Sequence, residues 1–320
     1  MTRRTVVRWI VAVGPVLAAA APSAQALPPA DEPRSAAEPP AQTGPEQVPP
    51  DAATRPAPGG NPPSQAGAPA ARGPVLDLAH VKTVEAAIGT LPGQLKPFYK
   101  AHRTEMPSLG LEPEFPPRNP ERRFQVDRLL PFPFRELPHT EAAFTAKYGD
   151  KAAGIGRLPW LVQESYARLV EAMKASDKQR ILRESDTIAG LMVDLHTAVN
   201  LTENFDGQKT GQHGLYVRLA DKLPQALGRR LKLSPDAARY LDAPRDYVFA
   251  VISASYVWLD NTLYLEELAK RGKAGYGEIY FEDLARRLGP IVRERLSRAA
   301  EDAGSYWYTA WTDAGRPELK

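Results

Sequence analysis

The sequence predicts an all-α fold, a multi-helix bundle. In four long segments of the second half of the chain, apolar residues recur at steps of three and four, the period of a helix with one buried face. No segment alternates between apolar and polar residues as a half-buried strand does. Proline-rich stretches such as "LEPEFPPRNPERR" and "LLPFPFRELP" predict loops between helices.

Two N-terminal regions are not expected to belong to the bundle. Residues 1–26 combine a basic start, a short apolar run and the small-residue sequence "AQA", the pattern of a secretory signal peptide cleaved near Ala26. Residues 27–74 hold 14 prolines and few large apolar side chains, so they predict a disordered linker. We therefore expect a secreted or periplasmic protein with a single folded domain, residues 75–320, which the linker could associate with the cell envelope.

Composition excludes several classes of protein. The chain has no Cys, which excludes a lipoprotein anchor, disulfides and thiolate metal ligands. Its net charge is +3, but residues 1–26 contain three arginines and no acid, so the remainder is neutral. It therefore lacks the basic excess typical of nucleic-acid-binding domains, and the run "GRRLK" is interpreted as a solvated helix face. No segment after the signal looks apolar over the roughly 20 residues that a membrane-spanning helix needs.

Two consecutive helices are predicted in the middle of the folded region. The segment 158–179 places five residues near one face, namely Leu158, Leu161, Ser165, Leu169 and Met173. The segment 178–199 continues the period with Ile181, Ile188, Leu191 and Leu195. Ser176 and Asp177 precede the second helix as capping residues.

Two longer helical segments follow. Residues 243–272 predict one long helix or a kinked pair that ends at Gly272. Residues 279–315 predict a helix bent at Gly289-Pro290. The sequence "SYWYTAW" in this last helix puts Trp307 and Trp311 on one face, which favours the core; a ligand-binding role for this aromatic segment is the alternative.

The stretch "VDLHTAVNLTENFDGQKTGQHG", residues 193–214, concentrates metal-binding residue types. It contains Asp194, His196, Asn200, Glu203, Asp206 and His213. Carboxylate and imidazole groups at a helix-to-loop junction could bind a hard or borderline cation. The other interpretation is that Asn204, Asp206 and Gln208 bond backbone groups and fix the loop. The spacings H-x-x-x-H and H-E-x-x-H, which would indicate zinc, do not occur.

Four phrases in order carry a resemblance to a known family: "LPW" at 158–160, "DKQRIL" at 177–182, "TENFDGQKTGQHG" at 202–214 and "WYTAWTDAGRPEL" at 307–319. Together they resemble the zinc-dependent phospholipase C and single-strand-specific nuclease superfamily, over nearly all of residues 75–320. The resemblance implies a multi-helix bundle of that type. It also implies hydrolysis of phosphate esters by three zinc ions, which activate a water and clamp the phosphate.

When each ligand position that the resemblance implies is compared with this sequence, two metal ligands remain, His80 and Asp194. His196 matches a family histidine that lies beside the metals, and Asp127 is close enough to a missing Asp, at Gln125 or Val126, to substitute for it. The other ligand positions hold Val75, Leu161, Gly190, Asn200, Tyr216 and Ala220. Since zinc needs about four ligands, and Leu, Gly and Ala donate no side-chain electron pair, we expect an eroded site in which Leu161 fills vacated space.

Two functions follow from these replacements. The first is a pseudoenzyme, a non-catalytic protein with a binding or structural role and no cofactor. The alternative is a zinc-dependent phosphodiester hydrolase with a reduced or relocated site, drawn from His80, Asp127, Asp194, His196, Asn200, Glu203, Asp206 and His213. In "PERR" (120–123), Arg122 and Arg123 are expected to bond loop carbonyls or acids, or else to face a phosphate pocket.

Overall fold

A computed structural model describes residues 77–108 and 119–320. Within these ranges the regular elements are helical and no strand occurs, which confirms the all-α prediction. The predicted signal peptide (1–26) and linker (27–74), and Val75, lie outside the described residues. The α-helices are α1 (Leu78–Thr90), α2 (Lys96–Ala101), α3 (Glu141–Tyr148), α4 (Leu158–Lys174), α5 (Lys178–His196), α6 (Leu215–Val217), α7 (Leu223–Leu227), α8 (Pro244–Tyr256), α9 (Leu259–Lys270) and α10 (Glu278–Asp313).

Helices α4 and α5 form an antiparallel pair with the predicted buried faces. The five α4 residues named from the helical period are all buried, and so are the four named for α5. The side chain of Asp177 accepts a hydrogen bond of 3.2 Å from the backbone N–H of Arg180, which makes it the predicted N-cap of α5. The direction of α5 matters for function because its C-terminal half carries Gly190 and Asp194.

Helix α10 packs against α1, α4, α5, α7 and α9 and is the central helix of the described domain. It runs for 36 residues and continues through Gly289 and Pro290. Trp307 is fully buried, stacks on Tyr99 at 4.7 Å between ring centroids, and donates its indole N–H to the carbonyl of Ser185. Trp307 and Trp311 both belong to the main apolar core, as predicted.

The kinked-pair interpretation of residues 243–272 is confirmed, because α8 ends at Tyr256 and α9 begins at Leu259. Taken together, Pro244–Lys270 is long and apolar enough to cross a membrane by length and composition. The expectation that no such segment exists is therefore wrong by this criterion. A third of the apolar window is buried within the domain, and core helices of soluble proteins also pass this test.

Helix α1, which carries His80, was not predicted from the sequence. Its buried positions include Thr83, Thr90 and two alanines, so its two faces differ little in hydropathy. The small residues have a packing reason, because α1 approaches α10 closely at Gly304. A Cβ atom added there would lie 2.0 Å from Oγ1 of Thr90, whose hydroxyl donates to the carbonyl of Ala87.

Gly304→Ala is expected to destabilise the protein by about 1–3 kcal/mol, because the added methyl overpacks this helix crossing. Urea unfolding would measure the effect. Gly89→Ala is the matched control, since Gly89 also lies within a helix but has open space where a Cβ atom would stand; alanine there should stabilise by up to about 1 kcal/mol. Adding Thr90→Ala to Gly304→Ala should restore part of the loss, and equal losses at both glycines would contradict the close approach.

Candidate functional site

His80 and Asp194, the two ligands retained in the resemblance, lie on facing helices and border the same small space. His80 is on α1, and its Nε2 is 2.7 Å from Oδ1 of the buried Asp186 on α5. Asp194 is two turns further along α5. Gly190 lies one turn before Asp194 on α5 and has no side chain. The space beside the helix at Gly190 can therefore accept a side chain from another segment.

Arg122 fills that space. It ends a short 3₁₀ turn, Pro120–Arg122, and its Nε donates a 2.6 Å hydrogen bond to Oδ2 of Asp194. Both side chains of this ion pair are about nine-tenths buried, with 9% and 11% exposed. A Cβ atom on Gly190 would lie 2.9 Å from Nη2 of Arg122 and 3.1 Å from Nδ1 of His80. The guanidinium group therefore lies against His80, Gly190 and Asp194 at once, and the prediction that Arg122 bonds an acid is confirmed.

Burial and charge act in opposite directions on the acids of this cluster. Burial raises the pKa of Asp194 above its ordinary value, and the charge and hydrogen bond of Arg122 offset only part of that increase. Burial also raises the pKa of Asp77, the N-cap of α1, while its bond from the N–H of Ala79 lowers it. Because a charged carboxylate is unstable in such an environment without a cationic partner, Arg122 is the group that most favours the charged form of Asp194.

Asn200, another position that the resemblance assigns to a ligand, faces the same cluster. Its amide nitrogen donates to the backbone carbonyl of Asp194 at 3.1 Å. Its Oδ1 is buried and has no hydrogen-bond partner among the described residues. Asn200 thus directs its NH2 group, which cannot ligate a metal, toward the end of α5 at Asp194.

Arg123 contributes a second guanidinium next to the first. Its Cζ lies 3.7 Å from the centroid of Phe205 and 5.2 Å from that of Tyr216, one of the replaced ligand positions. Within the described part of the chain this side chain forms no hydrogen bond or ion pair. Two further positions that the resemblance assigns to ligands are apolar. Leu161 is buried in the main core, as expected, and Ala220 packs against a second apolar cluster, which includes Leu215, Leu219, Leu223, Leu231 and Leu288.

Asp127 and His196 form their hydrogen bonds with residues other than Arg122 and Asp194. Asp127 accepts from the hydroxyl of Thr202 at 2.5 Å and from the N–H of Glu203 at 2.8 Å, so it anchors the start of the loop. His196 has Asp302 on Nε2 at 2.8 Å and Arg295 on Nδ1 at 2.5 Å. Since arginine only donates, Nδ1 must accept and Nε2 carries the proton; burial lowers the pKa of this neutral histidine.

The remaining candidates belong to the loop 202–214 and stabilise its own backbone. Asp206 accepts from the N–H groups of Gly214 and Tyr216, both at 3.1 Å. Asn204 accepts from the N–H of Lys209 at 2.7 Å, and Gln208 accepts from the N–H of Asp206 at 3.0 Å. The interpretation that these three residues fix the loop is confirmed. Glu203 pairs with Lys209, and His213 is exposed.

The cluster does not fit a zinc site of the kind that the resemblance implies. Zinc requires three or four lone-pair donors around one point, whereas the space next to His80 and Asp194 holds a guanidinium, which has only donors of hydrogen bonds and a positive charge. Across residues 77–108 and 119–320, no group of three or more Asp, Glu or His side chains is arranged to hold a metal ion. The eight candidates lie in three different places. His80, Asp194 and Asn200 surround Arg122, and His196 lies between Asp302 and Arg295. The other four belong to or anchor the loop 202–214.

Comparison with known proteins adds no assignment: no model of a protein family matches the chain, and no curated protein matches it.

Proposed function

We propose that this protein is a secreted or periplasmic pseudoenzyme with the helical frame of the zinc-dependent phospholipase C and nuclease superfamily. In this proposal it acts by binding or by a structural role in the cell envelope and performs no ester hydrolysis. The observation that carries the proposal is the 2.6 Å bond between Arg122 and Asp194 beside His80. A fixed guanidinium there neutralises the carboxylate that would otherwise attract a metal cation.

The physical basis is that the arginine supplies the charge of a metal without its chemistry. Like a cation, it stabilises a buried carboxylate and holds α5 against the turn Pro120–Arg122. Unlike zinc, it has no open coordination position at which a water could lose a proton. The neighbouring Gly190 makes this arrangement possible, because any larger side chain at that position would meet both Arg122 and His80.

We expect the purified full-length mature chain to contain far less than one zinc ion per molecule by elemental analysis. We also expect it to be inactive on a general phosphodiester such as bis(p-nitrophenyl) phosphate, and its melting temperature to be unchanged by added zinc. A ligand that binds only the native state stabilises it by RT ln(1 + [L]/Kd), so zinc in excess over a weak Kd would still raise the melting temperature. Stoichiometric zinc whose removal by a chelator lowers the melting temperature would overturn the proposal and favour the alternative, a hydrolase with a reduced or relocated metal site.

A further inference from the structure

A cleft lies between α1 and the segment that follows α7. One wall is the exposed face of α1, and the other is the segment 228–233, which turns back toward α1 after α7. Gly228 has a φ of +48° at this turn, a conformation that side-chain-bearing residues rarely adopt. The cleft is open to solvent along one side and has a volume of about 660 Å³.

The floor of the cleft is apolar. Four of its lining residues are Leu78, Ala86, Leu231 and Leu233. Leu231 is 2% exposed and belongs to the second apolar cluster, while the other three are half-buried and leave part of their surface toward the cleft. Covering this surface with an alkyl chain would remove apolar area from water, which favours binding.

The rim of the cleft is positively charged. Lys82 and Glu85 pair with each other at 2.9 Å and cancel. Arg229 and Lys232 are exposed, and within the described residues their side chains form no hydrogen bond or ion pair. Two cations without a partner therefore stand at the edge of an apolar floor. This is the run "GRRLK", whose sequence alone indicated only a solvated helix face.

We propose that this cleft binds a long-chain carboxylate, an anion of the fatty-acid type. The alkyl chain lies on the four apolar residues, and the carboxylate is held at Arg229 and Lys232. The fork of an arginine matches a planar carboxylate with two parallel hydrogen bonds, which a neutral or cationic amphiphile of equal length cannot form. The inference is independent of the proposed loss of catalysis, because none of the Arg122 cluster lines the cleft.

Dodecanoate, titrated into the full-length mature protein below its micelle concentration and followed by calorimetry, tests the proposal. We expect saturable binding of one molecule per chain. The double substitution Arg229→Ser, Lys232→Ser should weaken binding by about tenfold or more, because it removes charge-assisted hydrogen bonds. Dodecyltrimethylammonium, with the same chain and the opposite charge, should bind far more weakly than dodecanoate.

Matched variants separate the cleft from general charge effects. Lys178→Ser, Arg183→Ser removes the same charge from exposed positions of α5 that do not line the cleft, and it should leave dodecanoate binding unchanged. Ala86→Phe should reduce binding by filling the floor while the rim keeps its charge. Absence of dodecanoate binding, equal weakening in the two double variants, or equal affinity for the cationic amphiphile would each overturn the proposal.

Discussion

Glu266→Gln is expected to lower the free energy of unfolding by about 3–5 kcal/mol, because it leaves a buried arginine without its counter-ion. Arg218 and Glu266 are 7% and 1% exposed and lie 2.8 Å apart. Glu266 also accepts from the hydroxyl of Tyr280 at 2.6 Å and from the amide of Gln212 at 2.5 Å. Glutamine keeps the shape of the side chain, removes its charge and replaces one of its two acceptor oxygens with an NH2 donor, so a hydrogen bond is lost together with the ion pair.

The neighbouring residue provides the control. Glu267 pairs with Arg271 at 3.1 Å, but both side chains are more than three-fifths exposed. Exposed pairs of this kind contribute about 0–1 kcal/mol, so Glu267→Gln should change urea unfolding only slightly. Similar losses from both substitutions would show that the buried network is not a major source of stability.

The same network should also determine how rigid the loop 202–214 is. Arg218 donates to the backbone carbonyls of Gln212 and His213 at 2.8 and 2.6 Å. If Glu266→Gln displaces Arg218, limited proteolysis should cleave the loop faster in this variant than in Glu267→Gln. The loop is therefore stabilised in two ways: by hydrogen bonds among its own residues, and by Arg218, which connects it to Glu266 of α9.

Helices were predictable where one face is strongly apolar and the other polar. That contrast holds for α4 and α5, whose predicted faces are buried, and for the aromatic end of α10. It fails for α1, whose buried face includes threonines and alanines; at two of these positions, Ala87 and Thr90, α10 approaches closely at Gly304. It also fails for α6 and α7, which are short and are joined by a π-helical turn, Arg218–Lys222.

The site was only partly predictable, because its partners are distant in sequence. His80 and Asp194 were identified, but the residue between them, Arg122, lies 72 positions from Asp194. The acids that hold His80 and His196 are each 106 positions away from their histidine. Nothing in "PERR" distinguishes the arginine that enters the core from the one that stacks on Phe205. The contacts within the loop 202–214 span few residues, and the sequence predicted three of the residues that make them.

Arg122 explains how an acid can persist at this buried position. Without Arg122, Asp194 would be a buried carboxylate without an ion-pair partner, which is strongly unfavourable. Arg122 removes that problem while Gly190 provides the room. On the proposed function, the acid of the former site persists because it now forms a structural ion pair.

Arg122→Met should therefore destabilise the protein by about 3–5 kcal/mol, the effect of breaking a buried ion pair from one side. Methionine keeps much of the apolar stem, so the loss reports mainly the unpaired charge of Asp194. Urea unfolding measures it. Adding Asp194→Asn removes that charge, and the double variant should be more stable than Arg122→Met alone, which is the sign of direct coupling between the two residues.

Arg123→Met is the control within the same turn. Arg123 stacks on Phe205 but pairs with no acid in the described residues, so its loss should be limited to about 0.5–2 kcal/mol of cation–π energy. If Arg122→Met and Arg123→Met are equally destabilising, and Asp194→Asn gives no recovery, then Arg122 does not act as the counter-ion of Asp194. In that case the carboxylate would be available to a metal, and the hydrolase alternative would gain support from the same experiment.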